Sequence, residues 1–139
     1  MRKRGSKTAS RRGATTVEFA ICLPILFSVL FGLLEFARVT QLQQAARLAA
    51  FEGARAGISL NASTTDVKTA VNKVMSAVSI SSFTTTITPE TLAYTSPTVS
   101  VTVASSPNAN AWFKWYVSDS SVITANVTLS REVQAVSVP

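Results

Sequence analysis

Residues 13–57 read GATTVEFAICLPILFSVLFGLLEFARVTQLQQAARLAAFEGARAG, and this stretch decides the fold of the 139-residue chain. Residues 19–34 carry no charged side chain. At about 1.5 Å per residue they reach about 24 Å, which is short of a hydrocarbon core about 30 Å thick. Small or weakly polar residues at 14–17 and the apolar pair at 36–37 extend the run. The pattern therefore predicts one transmembrane helix over residues 14–37.

Positive charge is concentrated before this helix. Of the 13 Lys and Arg residues, six lie in the first twelve positions, and the other seven are balanced by the seven Asp and Glu residues. The six are Arg2, Lys3, Arg4, Lys7, Arg11 and Arg12. By the positive-inside rule the amino terminus is cytoplasmic and residues from about 38 onward lie on the other side. The neutral body excludes a nucleic-acid partner despite the high pI of about 10.1.

The basic start and apolar run fit a cleaved secretory signal poorly. The run ends in Leu33–Arg38 without a small-x-small cleavage site, and Cys22 follows Ile21 rather than the small residue that lipoprotein processing requires. A twin-arginine signal would need hydrophobic residues directly after Arg12, where Gly-Ala-Thr-Thr stands instead. The segment is better interpreted as a retained membrane helix.

Glu18 is not explained by a plain membrane anchor, because a carboxylate in the apolar layer costs about 2.5–3.5 kcal/mol without compensation. Two explanations remain open from the residues alone. Cutting the chain after Gly13 would create an α-amino group at Ala14, on the same helical face as Glu18 or opposite the Glu18 of a staggered neighbour. Alternatively, Glu18 lies at interface depth near Arg11 and Arg12, close to a helix amino end.

The segment from Arg12 to Gly57 resembles the TadE-like proteins of the tight-adherence (Flp) pilus system. Four features occur in order: the Gly13–Phe19 site, which looks like a type IV prepilin processing site, then Pro24, GLLEFAR at 32–38, and an Ala-rich stretch ending in EGAR at 52–55. The resemblance implies that a prepilin peptidase cuts between Gly13 and Ala14. Glu18 and Phe19 would then form the processing and assembly motif.

The resemblance further implies a pilin-like subunit, a minor pilin or pseudopilin, that takes part in assembling a tight-adherence pilus for surface attachment. Its expected partners are the prepilin peptidase, other pilin or pseudopilin subunits, the assembly platform and the lipid bilayer. Its expected location is the bacterial inner membrane, as a single-pass protein that could enter a surface pilus. The chain would be a substrate rather than an enzyme.

The helix is expected to continue beyond the membrane, because no Pro or Gly interrupts residues 35–52 and good helix formers predominate. Pro24 removes one backbone donor and predicts a kink in the membrane half. Small residues recur every four positions and predict a close helix contact, either with the chain's own domain or with neighbouring subunits. They are Ala45, Ala49, Gly53 and Gly57, with a second ridge of Ala46, Ala50 and Ala54. Glu35 with Arg38, and Glu52 with Arg55, are expected to pair on the exposed face.

The remaining sequence predicts an α+β fold of pilin-like type, with a leader at 1–13, a long helix at 14–57 and a small extracytoplasmic domain at 58–139. A helix of about thirteen residues begins near Thr65 or Asp66, with an apolar stripe from Val67 to Val78. Alternating β-branched residues predict antiparallel strands at about 82–88, 98–104 and 122–136, in a sheet of three or four strands.

Trp112–Tyr116 places four aromatic side chains in five positions. Two interpretations are open: an edge strand or helical turn that closes the core, or an exposed patch that contacts a partner or a membrane face.

Enzymatic chemistry has little support in this sequence. It holds no His, its one Cys lies in the apolar run, and its Ser and Thr residues have no recognisable base. No metal site and no cofactor are expected. Two other classes stay open beside the pilin-like one: an uncleaved, signal-anchored binding or sensory module, and a hydrolytic or glycan-active domain displayed by the same anchor.

Overall fold

The computed structural model describes residues 8–92, 96–114 and 120–131. A long helix leads into a small domain of one helix and three strands. The elements are α1 (Thr8–Gly57), α2 (Thr64–Ala77), β1 (Thr84–Thr88), β2 (Thr98–Ser105), a short 3-10 turn (Asn108–Asn110) and β3 (Ile123–Ser130). The strands form an antiparallel sheet in the order β1-β2-β3. The predicted α+β class with a long amino-terminal helix is confirmed.

Helix α1 begins at Thr8, six residues before the predicted start, and runs 50 residues without a break. The residues between Ala9 and Arg12 are tolerated in helices, and one Gly at position 13 costs only about 1 kcal/mol. The helix also continues through Pro24. The described chain contains one helix long and apolar enough to cross a membrane, and its apolar window is 0 % buried by the rest of the protein.

The carboxyl-terminal half of α1 is covered by the chain's own domain. Its Ala46, Ala50 and Ala54 are fully buried. Small side chains on this face let α2 and the sheet approach the helix closely. The side chains packed on this face come from one stripe of α2 and the inward positions of β2, namely Val67, Val71, Met75, Val99, Val101 and Val103. Each such side chain contributes about 1.5–3 kcal/mol on burial.

The strands follow the predicted alternation but differ at their ends. In β2, Val99, Val101 and Val103 are buried while their neighbours are partly exposed, as the alternation predicts. The first strand begins at 84 rather than 82. Within the described residues the third strand runs from Ile123 to Ser130, and Ser130 lies opposite Thr98 at the start of β2. Residues 132–136 of that prediction lie outside the described residues.

Arg131 holds the end of α1 to the end of the sheet. Its guanidinium donates to the carbonyl oxygens of Gly57 at 2.7 Å and Ile58 at 3.2 Å, while its backbone N–H donates to the Pro97 carbonyl at 2.8 Å. The last carbonyls of a helix lack partners within the helix and carry partial negative charge, so a cation is favourable there. This contact fixes where the long helix stops relative to the strands.

Helix α2 starts with a capping box. The Ser63 hydroxyl accepts from the Asp66 N–H at 3.2 Å, and the Asp66 carboxylate accepts from the Ser63 N–H at 2.9 Å and the Ser63 hydroxyl at 2.7 Å. These bonds, first from the side chain and then from the backbone of Ser63, hold the pKa of Asp66 below its ordinary value of 3.8. The predicted start near Thr65 or Asp66 is therefore only one or two residues late.

We expect Gly53→Leu to destabilise the domain strongly. Even a Cβ atom at Gly53 would lie 2.7 Å from Val71 Cγ2 and 3.3 Å from Val101 Cγ1, and valine side chains have little freedom to move. Overpacking of this kind costs about 1–3 kcal/mol or more, which exceeds the helix propensity gained. Thermal unfolding of the detergent-solubilised chain, followed by tryptophan fluorescence, measures it. Gln43→Leu, at an exposed position of the same helix, should leave the midpoint nearly unchanged; equal midpoints for both variants would contradict the packing.

The amino end of α2 should loosen in acid. Because the folded pKa of Asp66 is depressed, its stabilisation is complete above about pH 3.8 and is lost as the pH falls through the lower folded value. Chemical shifts of the Ser63 and Asp66 amides, measured by NMR through this range, should report the step. Asp66→Asn should abolish it, and an identical acid step in that variant would exclude the carboxylate as its origin.

Candidate assembly interface of the N-terminal helix

The processing motif predicted from the sequence lies on the uncovered half of α1. Apart from its chain neighbours and the backbone of its own helix, Gly13 has no atom within 4 Å of the point where a Cβ would stand. Ala14 and Glu18 are exposed, and Phe19 is 64 % exposed. This part of the helix is accessible to a membrane-embedded partner along its length. A kink at Pro24 remains a prediction.

The small-residue positions predicted for helix packing lie in a different environment. Ala45 is 5 % exposed and Ala49 0 %, and Gly53 and Gly57 are buried. A Cβ at Gly57 would lie 2.8 Å from Val99 Cγ1. The chain's own α2 and β2 therefore cover this ridge. Of the two contacts considered for it, this matches the contact with the chain's own domain.

A junction that the sequence did not reveal joins the membrane half of α1 to the domain. Glu35 is only 2 % exposed, and its Oε2 accepts from the Phe113 N–H at 3.2 Å. The Phe113 ring packs on Phe31 with centroids 4.6 Å apart. These two contacts hold the loop after the 3-10 turn against the end of the apolar run.

Arg38 completes this junction. Its guanidinium donates to the carbonyl oxygens of Val78 at 3.4 Å and Ser79 at 3.1 Å, and lies 5.5 Å from the ring centre of Trp112. The expected exposed pair of Glu35 with Arg38 was wrong, because the domain buries Glu35 and draws Arg38 to the end of α2. The other expected pair does form, with 4.0 Å between Glu52 Oε1 and Arg55 Nη1.

The aromatic cluster fits each of its two interpretations in part. Phe113 is half-buried against α1, whereas Trp112 is 66 % exposed. Trp115 and Tyr116 lie outside the described residues. The sequence shows Glu35 at the end of the apolar run and an aromatic cluster at 112–116. It gives no sign that the two meet.

Beside the junction, an apolar groove separates α1 from α2. Its volume is about 810 Å³, and its α1 wall is formed by Gln41, Ala45, Leu48 and Glu52, with Val74 and Ala77 opposite. Leu48, in the α1 wall, is 52 % exposed. Among the residues that the structure describes, no group of three or more His, Cys, Asp or Glu side chains could hold a metal.

Comparison with known families finds a similarity in this helix. Residues 13–55 match the model of the family described as TadE-like protein. This confirms the resemblance seen in the sequence, and the match covers the exposed processing motif, the apolar run and most of the buried ridge. The family is associated with the pili of tight-adherence systems, and it is a structural rather than a catalytic class. Neither the curated proteins nor the solved structures give a match to this chain.

We expect Glu35→Ala to release the loop at 111–114. The substitution leaves the partly buried Phe113 N–H unpaired, which costs up to about 1–3 kcal/mol. Glu35→Gln keeps an acceptor of the same shape and should cost much less. The emission maximum of the tryptophans and the rate of protease nicking in this loop measure the release. Indistinguishable behaviour of the Ala variant and the parent would show that the junction does not depend on Glu35.

Proposed function

We propose that this chain is a pilin-like subunit, a minor pilin or pseudopilin, of a tight-adherence pilus. The observation that supports the proposal best is the exposed Gly13–Phe19 motif at the head of a membrane-length helix, within the segment that matches the TadE-like family. A prepilin peptidase removes the leader between Gly13 and Ala14. The subunit then contributes to a fibre that attaches cells to surfaces.

The proposal includes the topology. The six cations before Gly13 keep the amino terminus in the cytoplasm, and the domain after the membrane helix lies outside the inner membrane. Glu18 serves assembly after the leader is removed, since an acid in the apolar layer requires a compensating partner. The peptidase, other pilin or pseudopilin subunits, the assembly platform and the bilayer are the partners of the chain.

Mass measurement and amino-terminal sequencing of the membrane-extracted chain test the processing. In cells that possess the peptidase, mature material should begin at Ala14. Gly13→Ala should slow the cut only partly because alanine is still small, and Gly13→Leu or Gly13→Asp should abolish it. Material that begins at Met1 in a competent host would instead favour the uncleaved, signal-anchored module.

Glu18→Ala separates processing from assembly. The variant should still lose residues 1–13 but should enter surface fibres at least tenfold less efficiently, as measured by the subunit in sheared fibres relative to that in membranes. Thr16→Ala, at an exposed position half a turn earlier, is the matched control and should assemble normally. Normal assembly of the Glu18→Ala protein would remove the role assigned to this carboxylate.

A further inference from the structure

The loop at 111–114 contacts α1 at a level that lies within the candidate membrane span. The Phe113 ring packs on Phe31 with centroids 4.6 Å apart, and the Phe113 N–H donates to Glu35 at 3.2 Å. Phe31 lies seven positions before Arg38, the first cation beyond the apolar run, which corresponds to about 10 Å along the helix. The Phe113 ring therefore lies beside the uncharged run rather than beyond its end.

The side chains of α1 before and after this contact are apolar and uncovered by protein. Leu30, Leu33 and Phe36 are 45 %, 61 % and 71 % exposed. A bilayer around the candidate span covers such side chains with lipid. Because Phe36 lies nearer the domain than Phe31 does, a bilayer that reaches Phe36 also reaches the loop that packs on Phe31.

The exposed side chains of the loop suit the boundary between hydrocarbon and lipid headgroups. Trp112 is 66 % exposed, and the guanidinium carbon of Arg38 lies 5.5 Å from its ring centre. Lys114 is also exposed. Tryptophan is enriched at this boundary because one end of its ring system is apolar and the other donates a hydrogen bond. Arginine and lysine lay their apolar stems along such a surface and extend their charges to the headgroups.

The loop also shields the carboxylate at the end of the apolar run. Glu35 is 2 % exposed, although its helical neighbours Leu34 and Phe36 are 43 % and 71 % exposed. A carboxylate that faces lipid is strongly unfavourable, whereas one that is covered by protein and accepts a backbone N–H is tolerated. The cover is useful only if lipid extends to this level, so the burial of Glu35 and the exposure of Trp112 have one explanation.

We propose that the loop at 111–114 lies in the headgroup layer of the bilayer that α1 spans, with the Trp112 ring at the hydrocarbon boundary and with Arg38 and Lys114 directed to the lipid phosphates. The inference goes beyond the proposed function, since it requires that α1 is inserted but not that the leader is cut or that a fibre forms. The domain is thereby held against the membrane surface rather than carried above it on a free stretch of helix.

Quenching of tryptophan fluorescence by brominated phospholipids tests this position. The full-length chain is reconstituted in nanodiscs with one chain each, so that no second copy can cover the loop. Trp115→Phe leaves Trp112 as the only tryptophan, because the sequence contains two. Bromines near the headgroup end of the acyl chains should lower its emission about twofold or more relative to unbrominated lipid.

The matched control moves the tryptophan away from the membrane. In a chain with Trp112→Phe and Trp115→Phe, Leu60→Trp places a single tryptophan at a 79 % exposed position beyond the far end of α1. Its emission should be the same in both lipids. With Trp112 as the only tryptophan, Glu35→Ala should reduce the quenching by about half or more because the loop is released, and Glu35→Gln should retain it.

Equal emission of Trp112 in the two lipids would overturn the proposed position, and undiminished quenching in the Glu35→Ala chain would overturn the role of Glu35 in holding the loop there. Phe27→Trp in the chain without other tryptophans reports the insertion of α1 and should be quenched. If it is quenched and Trp112 is not, only this inference fails. If neither is quenched, the membrane topology of the proposed function fails as well.

Discussion

The packing of one small-residue face of α1 against α2 and β2 is the contact on which the rest of the structure depends. Ala46, Ala50 and Ala54 are fully buried, and Gly53 and Gly57 leave room only for the valines that already touch them. A domain of this size buries little apolar surface by itself, so it needs the helix as part of its core. The helix that carries the candidate membrane span is thus also the central element of the carboxyl-terminal domain.

This shared helix links the membrane to the domain mechanically. The junction at Glu35 and Arg38 sits where the apolar run ends, and it connects that point to the loop at Phe113 and to the end of α2. At the far end, Arg131 ties the last turn of α1 to the sheet. A displacement of the amino-terminal half would therefore move the whole domain with it. Such rigidity would suit the proposed role as a fibre subunit.

Local patterns in the sequence were sufficient for most of the fold. The uncharged run predicted the membrane helix, the stripe from Val67 predicted α2, and alternating valines predicted β2, because each of these signals depends only on near neighbours. The junction depended instead on Glu35 and Phe113, which are 78 residues apart, and no local pattern could pair them. The sequence predicted the ridge of small residues but not what covers it, because small residues suit helix contacts within a chain and between chains equally. The cutting site at Gly13 and the assembly role of Glu18 come from the family resemblance, whereas the kink at Pro24 was predicted from its missing backbone donor.

Hydrogen exchange of the full-length chain in lipid nanodiscs tests most directly whether α1 is the core of the carboxyl-terminal domain. Amides of residues 42–56 should be protected to the same degree as those of Val99, Val101 and Val103, because the helix and the strand can open only together. Rapid exchange across residues 42–56 while the strand remains protected would show that the domain folds without the helix, and would contradict this account.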